Sequence, residues 1–152
     1  MKKYIAFGCL LFSFVICAQE INWVTLEQAE AEMKKNPDKP LLIDFYTTWC
    51  GWCKKMDAST FKEAEVVKHI NENYIPVKFD AESKADVSFR GKTYKYVRAQ
   101  NGRGINSFAY FSLQGKPSYP AYAIINAEGE IEKLLLGYMP KEKFIEGLKA
   151  TR

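Results

Sequence analysis

The sequence predicts an α/β domain in which a central mixed β-sheet carries helices on both faces. Three observations lead there. The near-continuous apolar run Leu41–Tyr46 reads as a central strand covered on both faces, and Ile75–Asp80 reads as a second strand. Segments with apolar residues at helical spacing precede and separate them. A strand, tight turn and returning strand over residues 121–137 then lead into a last helix. At 152 residues and 47% apolar the chain suits one domain with a real core, and excludes a disordered or fibrous protein. The net charge of +4, from 22 basic and 18 acidic residues, is mild and its basic residues are scattered, which argues against a nucleic-acid partner.

Residues 1–18 read as an address rather than as part of the fold. Lys2 and Lys3 precede a twelve-residue apolar run, 5–16, broken only by Gly8 and Ser13. At about 1.5 Å per helical residue this run is too short for a hydrocarbon core of about 30 Å. A basic start, a short apolar stretch and the small Ala18 fit a secretory signal peptide cut near Ala18–Gln19. An uncleaved anchor and a lipid on Cys17 are the alternatives, the second disfavoured by bulky Ile16 ahead of the cysteine. Cleavage leaves a domain of residues 19–152 with Cys50 and Cys53 as its cysteines.

Each element of that domain has a local reason. Residues 21–24 are a short apolar entry, and Thr25-Leu-Glu-Gln28 is a capping box that starts a helix. Leu26, Ala29 and Met33 define its apolar face until Asn36-Pro37 stops it. The strand Leu41–Tyr46 follows, then a helix opening over 50–56 and another over 63–73 with Val66, Val67 and Ile70 inward. In the strand Ile75–Asp80, Pro76 is tolerable only near the start. Residues 87–97 alternate like one hairpin about Arg90-Gly91-Lys92, residues 101–104 are a turn, and 105–113 are a short helix. The strand at 121–126, the turn at 127–129 and the strand at 131–137 form the closing hairpin. Pro140 sits near the first turn of the last helix, whose Phe144, Ile145 and Leu148 face the core.

The chemistry is concentrated in Trp49-Cys50-Gly51-Trp52-Cys53-Lys54. A structural zinc site needs four ligands, and the domain offers two cysteines and His69, so no metal is expected. Haem attachment needs histidine where Lys54 stands. A purely structural disulfide would close too small a loop to stabilise much. The remaining reading is a dithiol that opens and closes, with no cofactor. Cys50 at a helix start is the nucleophile, because free amides and the helix dipole favour its thiolate there, and it is expected to be the accessible sulfur. Cys53, one turn on and shielded, is the resolving thiol. Trp49 and Trp52 are large exposed candidates for covering a bound peptide around Gly51.

The run LIDFYTTWCGWCK at residues 42–54 resembles the active-site strand, turn and helix of the thioredoxin superfamily. Lys78 within Val-Lys-Phe-Asp, Tyr119-Pro120 ahead of Ala-Tyr-Ala-Ile-Ile-Asn, and Gly137 extend the likeness over nearly the whole domain. Thr60-Phe61, Val66 and Asn71-Glu-Asn-Tyr74 further resemble secreted bacterial thioredoxin-like proteins and the C-terminal domain of the DsbD-type reductant. The resemblance implies a thioredoxin-like fold and a Cys50–Cys53 redox disulfide. It also implies a buried Asp44 that transfers the proton of Cys53, Lys78 paired with it, and a cis Pro120 that presents the Tyr119 backbone to substrate. It implies a monomeric exported protein-disulfide reductase acting on disulfide-containing exported proteins and recharged by a membrane electron donor. A disulfide oxidase or isomerase, and a non-catalytic substrate-binding or chaperone-like module, are the rival readings. Two departures stand out. Gly51-Trp52 replaces Gly-Pro between the cysteines, and an insertion of about 85–114 precedes the proline loop. Its Phe89, Tyr94, Tyr96, Phe108, Tyr110 and Phe111 form either a docking surface or an enlarged local core.

Overall fold

The computed structural model describes residues 19–98 and 102–150. The expected leader, residues 1–18, and Asn101 of the expected turn lie outside the described residues. The elements run α1 (Leu26–Lys35), β1 (Leu41–Tyr46), α2 (Gly51–Ala58), α3 (Ala64–Asn73), β2 (Ile75–Asp80), β3 (Val87–Phe89), β4 (Lys92–Tyr94), β5 (Tyr96–Arg98), β6 (Gly104–Asn106), α4 (Ser107–Ser112), β7 (Ala121–Ile125), β8 (Ile131–Leu136) and α5 (Lys141–Lys149). A 3-10 turn, Thr60–Lys62, links α2 to α3.

The main sheet has the order β2-β1-β7-β8, parallel between β1 and β2 and antiparallel elsewhere. It is the expected mixed sheet, and alternation along its strands sorts the core onto two faces. Leu41, Ile43 and Phe45 of β1 pack with Val77, Phe79, Ala121 and Ala123 against Leu26 and Ala29 of α1 and Phe108 of α4. Leu42, Tyr122 and Ile124 face the other way, against Met56 of α2, Val66, Val67 and Ile70 of α3, and Phe144, Ile145 and Leu148 of α5. Tyr122 and Phe144 meet edge to face at 5.0 Å, and Phe61 closes on both at 5.9 and 5.5 Å. Each of the buried Val, Leu, Ile, Phe and Met side chains among them contributes about 1.5–3 kcal/mol of transfer free energy.

Both bonds of the α1 capping box are present, Gln28 N–H to Thr25 Oγ1 at 3.2 Å and Thr25 N–H to Gln28 Oε1 at 2.9 Å. Pro76 is carried in β2 because that strand is an edge of the sheet, and Val24 covers the edge only locally. There the Val24 N–H donates to Pro76 O and the Lys78 N–H to Val24 O. Two local expectations are corrected. Residues 87–97 do not form one hairpin: β3 pairs β4, whereas β5 leaves it at Lys95 and pairs β6. The helix expected over 105–113 begins only at Ser107, because Asn106 caps it by accepting the Phe108 N–H. His69 is half-buried, with its ring 6.0 Å from that of Tyr74.

Candidate active site

The chain leaves β1 at Tyr46 and turns through Thr47, whose carbonyl accepts the Cys50 N–H at 3.1 Å. Cys50 is thereby the N-cap of α2, in extended backbone, and its Sγ accepts the Cys53 N–H at 3.1 Å. The first amides of a helix have no partner within it, so here a sulfur takes one of them. Cys50 and Cys53 are joined as a disulfide across one turn, with their Cα atoms 5.3 Å apart. Exposure does not separate them as expected, since each residue is only 4% exposed in this oxidised form. Position separates them: Cys50 caps the helix, whereas Cys53 lies inside its first turn.

Asp44 lies on the face of β1 that also bears Leu42 and looks toward α2. It is 2% exposed, and sits in a row across the sheet between Lys78 of β2 and Tyr122 of β7. Lys78 Nζ pairs with Asp44 Oδ2 at 2.9 Å and also bonds to Asp57 of α2. Burial raises the Asp44 carboxyl from 3.8 to about 6, opposed by Lys78 and assisted by the charge of Asp57. Burial alone would lower the Lys78 ammonium, but the two carboxylates outweigh it and hold it above its ordinary range. The ammonium also lies 5.1 Å from the ring centre of Trp23 and 5.5 Å from those of Tyr46 and Phe61. Lys78 and Asp57 line a cleft of about 290 Å³ with Glu20, Ile21 and Lys62, so Asp44 adjoins it through an ion pair. Among the described residues the buried Tyr122 hydroxyl has no hydrogen-bond partner, and burial raises its phenol well above the usual range.

The surface around the sulfurs is aromatic. Trp49 is 55% exposed yet held on several sides: its Nε1–H donates to Glu82 at 3.0 Å, Arg103 lies 5.4 Å over its ring, and Tyr119 meets it edge-on at 6.1 Å. Burial, with Glu82 and Asp80 nearby, pushes the Tyr119 phenol up to about 12. Trp52 is 57% exposed and packs on Tyr138 at 5.5 Å, with Lys55 over both rings. A Cβ on Gly51 would meet none of the described residues beyond its own helix within 4 Å. The Tyr119–Pro120 peptide bond is cis, and the Pro120 carbonyl accepts the N–H of Gly137, whose φ of +82° suits glycine.

The structure thus gathers Trp49, Cys50, Gly51, Trp52 and Cys53 at one helix start, sets Tyr119, next to Pro120 in sequence, against Trp49, and pairs Asp44 with Lys78 on the β1–β2 face toward α2. Sequence reasoning missed Asp57, Glu82 and Arg103. Only Asp57 left a signal, an acid four residues after Cys53 and therefore on the same face of α2.

The chain matches the family model Thioredox_DsbH, described as a protein of unknown function, DUF255, over residues 13–130. The thiol:disulfide interchange protein DsbD of Neisseria meningitidis is 27% identical over 124 residues, which cover 81% of this chain and 17% of that protein. Spermatogenesis-associated protein 20 of Mus musculus is 29% identical over 85 residues, 55% of this chain and 10% of that one. Among solved structures, a DsbH oxidoreductase superposes with a TM-score of 0.61 at 18% identity, covering 96% of this chain and 94% of its own. The oxidised C-terminal domain of Neisseria meningitidis DsbD gives 0.55 at 24%, covering 86% and 98%. The chain spans about a sixth of the length of the DsbD proteins it matches.

Proposed function

Since the chain belongs to the Thioredox_DsbH family of thioredoxin-fold proteins, we propose that it is an exported, monomeric thiol–disulfide oxidoreductase that reduces disulfides of exported proteins. The observation that carries the reading is a disulfide capping α2, together with a buried, ion-paired carboxyl on the β1 face that looks toward that helix. In the dithiol form the amide now bonded to Cys50 Sγ would stabilise a thiolate at the same place. That thiolate attacks one sulfur of a client disulfide, forms a mixed disulfide and expels the other client sulfur as a thiolate, which takes a proton. Cys53 gives its proton to Asp44 and attacks Cys50 Sγ, expelling the second client sulfur. The client gains two electrons and two protons, and the protein ends as the Cys50–Cys53 disulfide.

Lys78 keeps Asp44 poised near neutrality, because unopposed burial would raise the carboxyl further. Trp49, Gly51, Trp52, Tyr119 and Pro120 hold an extended client segment over the sulfurs, where the backbone before Pro120 supplies pairing groups. Exported compartments lack a reducing thiol pool, so a membrane-bound dithiol donor returns the electrons by the same exchange in reverse. Insulin reduction tests the reading: wild type accelerates it and Cys50→Ser does not. Activity independent of Cys50 would mark a binding module instead. Equilibration with glutathione tests the direction. A potential more negative than about −200 mV fits a reductant, and one near −120 mV an oxidase.

A further inference from the structure

Residues 87–127 hold six basic residues, Arg90, Lys92, Lys95, Arg98, Arg103 and Lys116, and no acidic one, although the whole chain is nearly balanced at 22 basic and 18 acidic. The same stretch carries exposed large apolar side chains, Tyr110 at 45% and Phe111 at 57% exposure. We propose that the outer side of α4, with the β4–β5 connection beside it, is a peripheral docking surface for an anionic lipid bilayer. Phe111 and Tyr110 enter the headgroup layer, and Lys92, Lys95 and Lys116 meet the lipid phosphates. This goes beyond the oxidoreductase reading and does not depend on it.

The face is continuous. Burial of Phe108, Ala109 and Ser112 leaves Ser107, Tyr110 and Phe111 on the other side of α4. The Tyr110 and Phe111 rings lie 5.9 Å apart, and the Lys92 ammonium stands 4.9 Å from the Phe111 ring centre. Lys95 joins at the start of the same side. Its N–H donates to Ser107 Oγ at 3.0 Å and its carbonyl accepts the Ser107 N–H at 2.8 Å, and Ser107 is one turn before Phe111. Asp86, 3.2 Å from Lys95 and exposed, offsets part of that charge. At the far end a Cβ on Gly115 would lie 3.2 Å from the Tyr110 hydroxyl, and the exposed Lys116 comes directly after it. A headgroup layer suits this mixture, because tyrosine and long-stemmed lysine bury their apolar parts there and keep their polar ends wet. An acidic protein would match the charge alone, whereas rings among the cations favour a surface with an apolar layer beneath its phosphates. The six residues of α4 are too few to span a bilayer, so the contact is interfacial.

The test is co-sedimentation of residues 19–152, which contain both halves of the core, with vesicles of phosphatidylcholine alone or with a quarter phosphatidylglycerol. Half of the wild type binds the anionic vesicles at about 0.1–1 mM lipid in low salt, binding to neutral ones is at least about 10-fold weaker, and salt releases the protein. Phe111→Ser, and separately the pair Lys92→Gln with Lys95→Gln, each weaken binding about 10-fold or more. Lys68→Gln with Lys143→Gln removes the same charge from exposed positions on α3 and α5 and weakens it less than about two-fold. Insulin reduction in solution is unchanged in all of these variants. No binding to anionic vesicles, equal binding to neutral ones, or an equal loss in the α3–α5 pair overturns the proposal, and the two lysine pairs decide even if Phe111→Ser fails to fold. Binding that salt releases but a folded Phe111→Ser retains marks a purely electrostatic surface and overturns it as well. Dimerisation that Phe111→Ser abolishes, in place of vesicle binding, assigns the face to a second copy and also overturns it. Cys50→Ser binds vesicles as wild type does, so failure of the oxidoreductase reading leaves this outcome readable.

Discussion

Replacing Asp44 by asparagine should make the protein more stable at pH 8 while slowing its chemistry. The carboxyl is raised from 3.8 to about 6 in the folded state. A tenfold change in proton affinity is about 1.4 kcal/mol, so keeping Asp44 ionised when folded costs about 3 kcal/mol relative to the unfolded chain. The sign follows from proton binding. Between pH 4 and 6 the folded state holds more protons at this site, so stability falls as pH rises through that window and stays lower above it. Asparagine binds no proton and escapes the loss, although Lys78 then keeps only Asp57. A net gain of about 2 kcal/mol at pH 8 would raise Tm by roughly 6–10 °C for a domain of this size. At pH 4, where Asp44 is protonated in the wild type, the gain should vanish. Urea melts of both proteins from pH 4 to 8 measure the difference, and quenched-flow separation of the two exchange steps measures the kinetics. Attack by Cys50 should be preserved and resolution by Cys53 slowed about 100-fold or more. A stability difference that does not change with pH, or equal slowing of both steps, would refute the argument.

Three further outcomes are expected. Asp57→Asn removes a negative charge that helps raise Asp44 and leaves Lys78 to Asp44 alone, so the Asp44 titration midpoint, followed by carboxyl carbon NMR, should fall; an unchanged or higher midpoint counts against the cluster. Phe108→Ala should destabilise by about 3–5 kcal/mol in urea melts, because its ring contacts Phe45, Phe79, Phe89 and Tyr94, whereas Phe111→Ser, 57% exposed, should stay within about 0.5 kcal/mol. Gly104→Ala should cost about 1–3 kcal/mol and loosen the β5–β6 hairpin in hydrogen exchange, since the added methyl meets the Val97 backbone oxygen; normal stability would show that β5 yields easily.

The elements that sequence patterns predict well are those with strong local causes. The capping box starts α1 at Leu26, and the apolar runs become β1 and β2 with the residue bounds expected of them. The split of the segment after Asp80 was harder to read. Alternation continues from Tyr94 through Tyr96, and nothing local marks Lys95 as the point where the chain changes partner; Gly104, against which the Tyr96 ring packs, is eight residues away. Asn106 was a legible cap, but Ile105 beside it suggested an earlier helix start. The inserted aromatics differ in burial. Phe89 and Phe108 extend the core, whereas Tyr110 and Phe111 face outward. In the site, Asp44 and Lys78 face each other in register on neighbouring parallel strands. For Asp57 the sequence shows only the four-residue spacing from Cys53; its meeting with Lys78 depends on α2 packing over that strand pair, a tertiary event. Glu82 and Arg103 reach Trp49 from two loops distant in sequence, which no spacing rule connects.

The central claim is that Cys50 attacks and Cys53 resolves, and trapping the mixed disulfide tests it most directly. Cys53→Ser should accumulate an adduct between Cys50 and a disulfide-bonded client, visible by intact mass and released by dithiothreitol. Cys50→Ser should trap almost none under the same conditions, because Cys53 lies inside the first turn of α2 with its own amide bonded to the position 50 sulfur in the wild type. Equal trapping by both variants, or more by Cys50→Ser, would contradict the assignment.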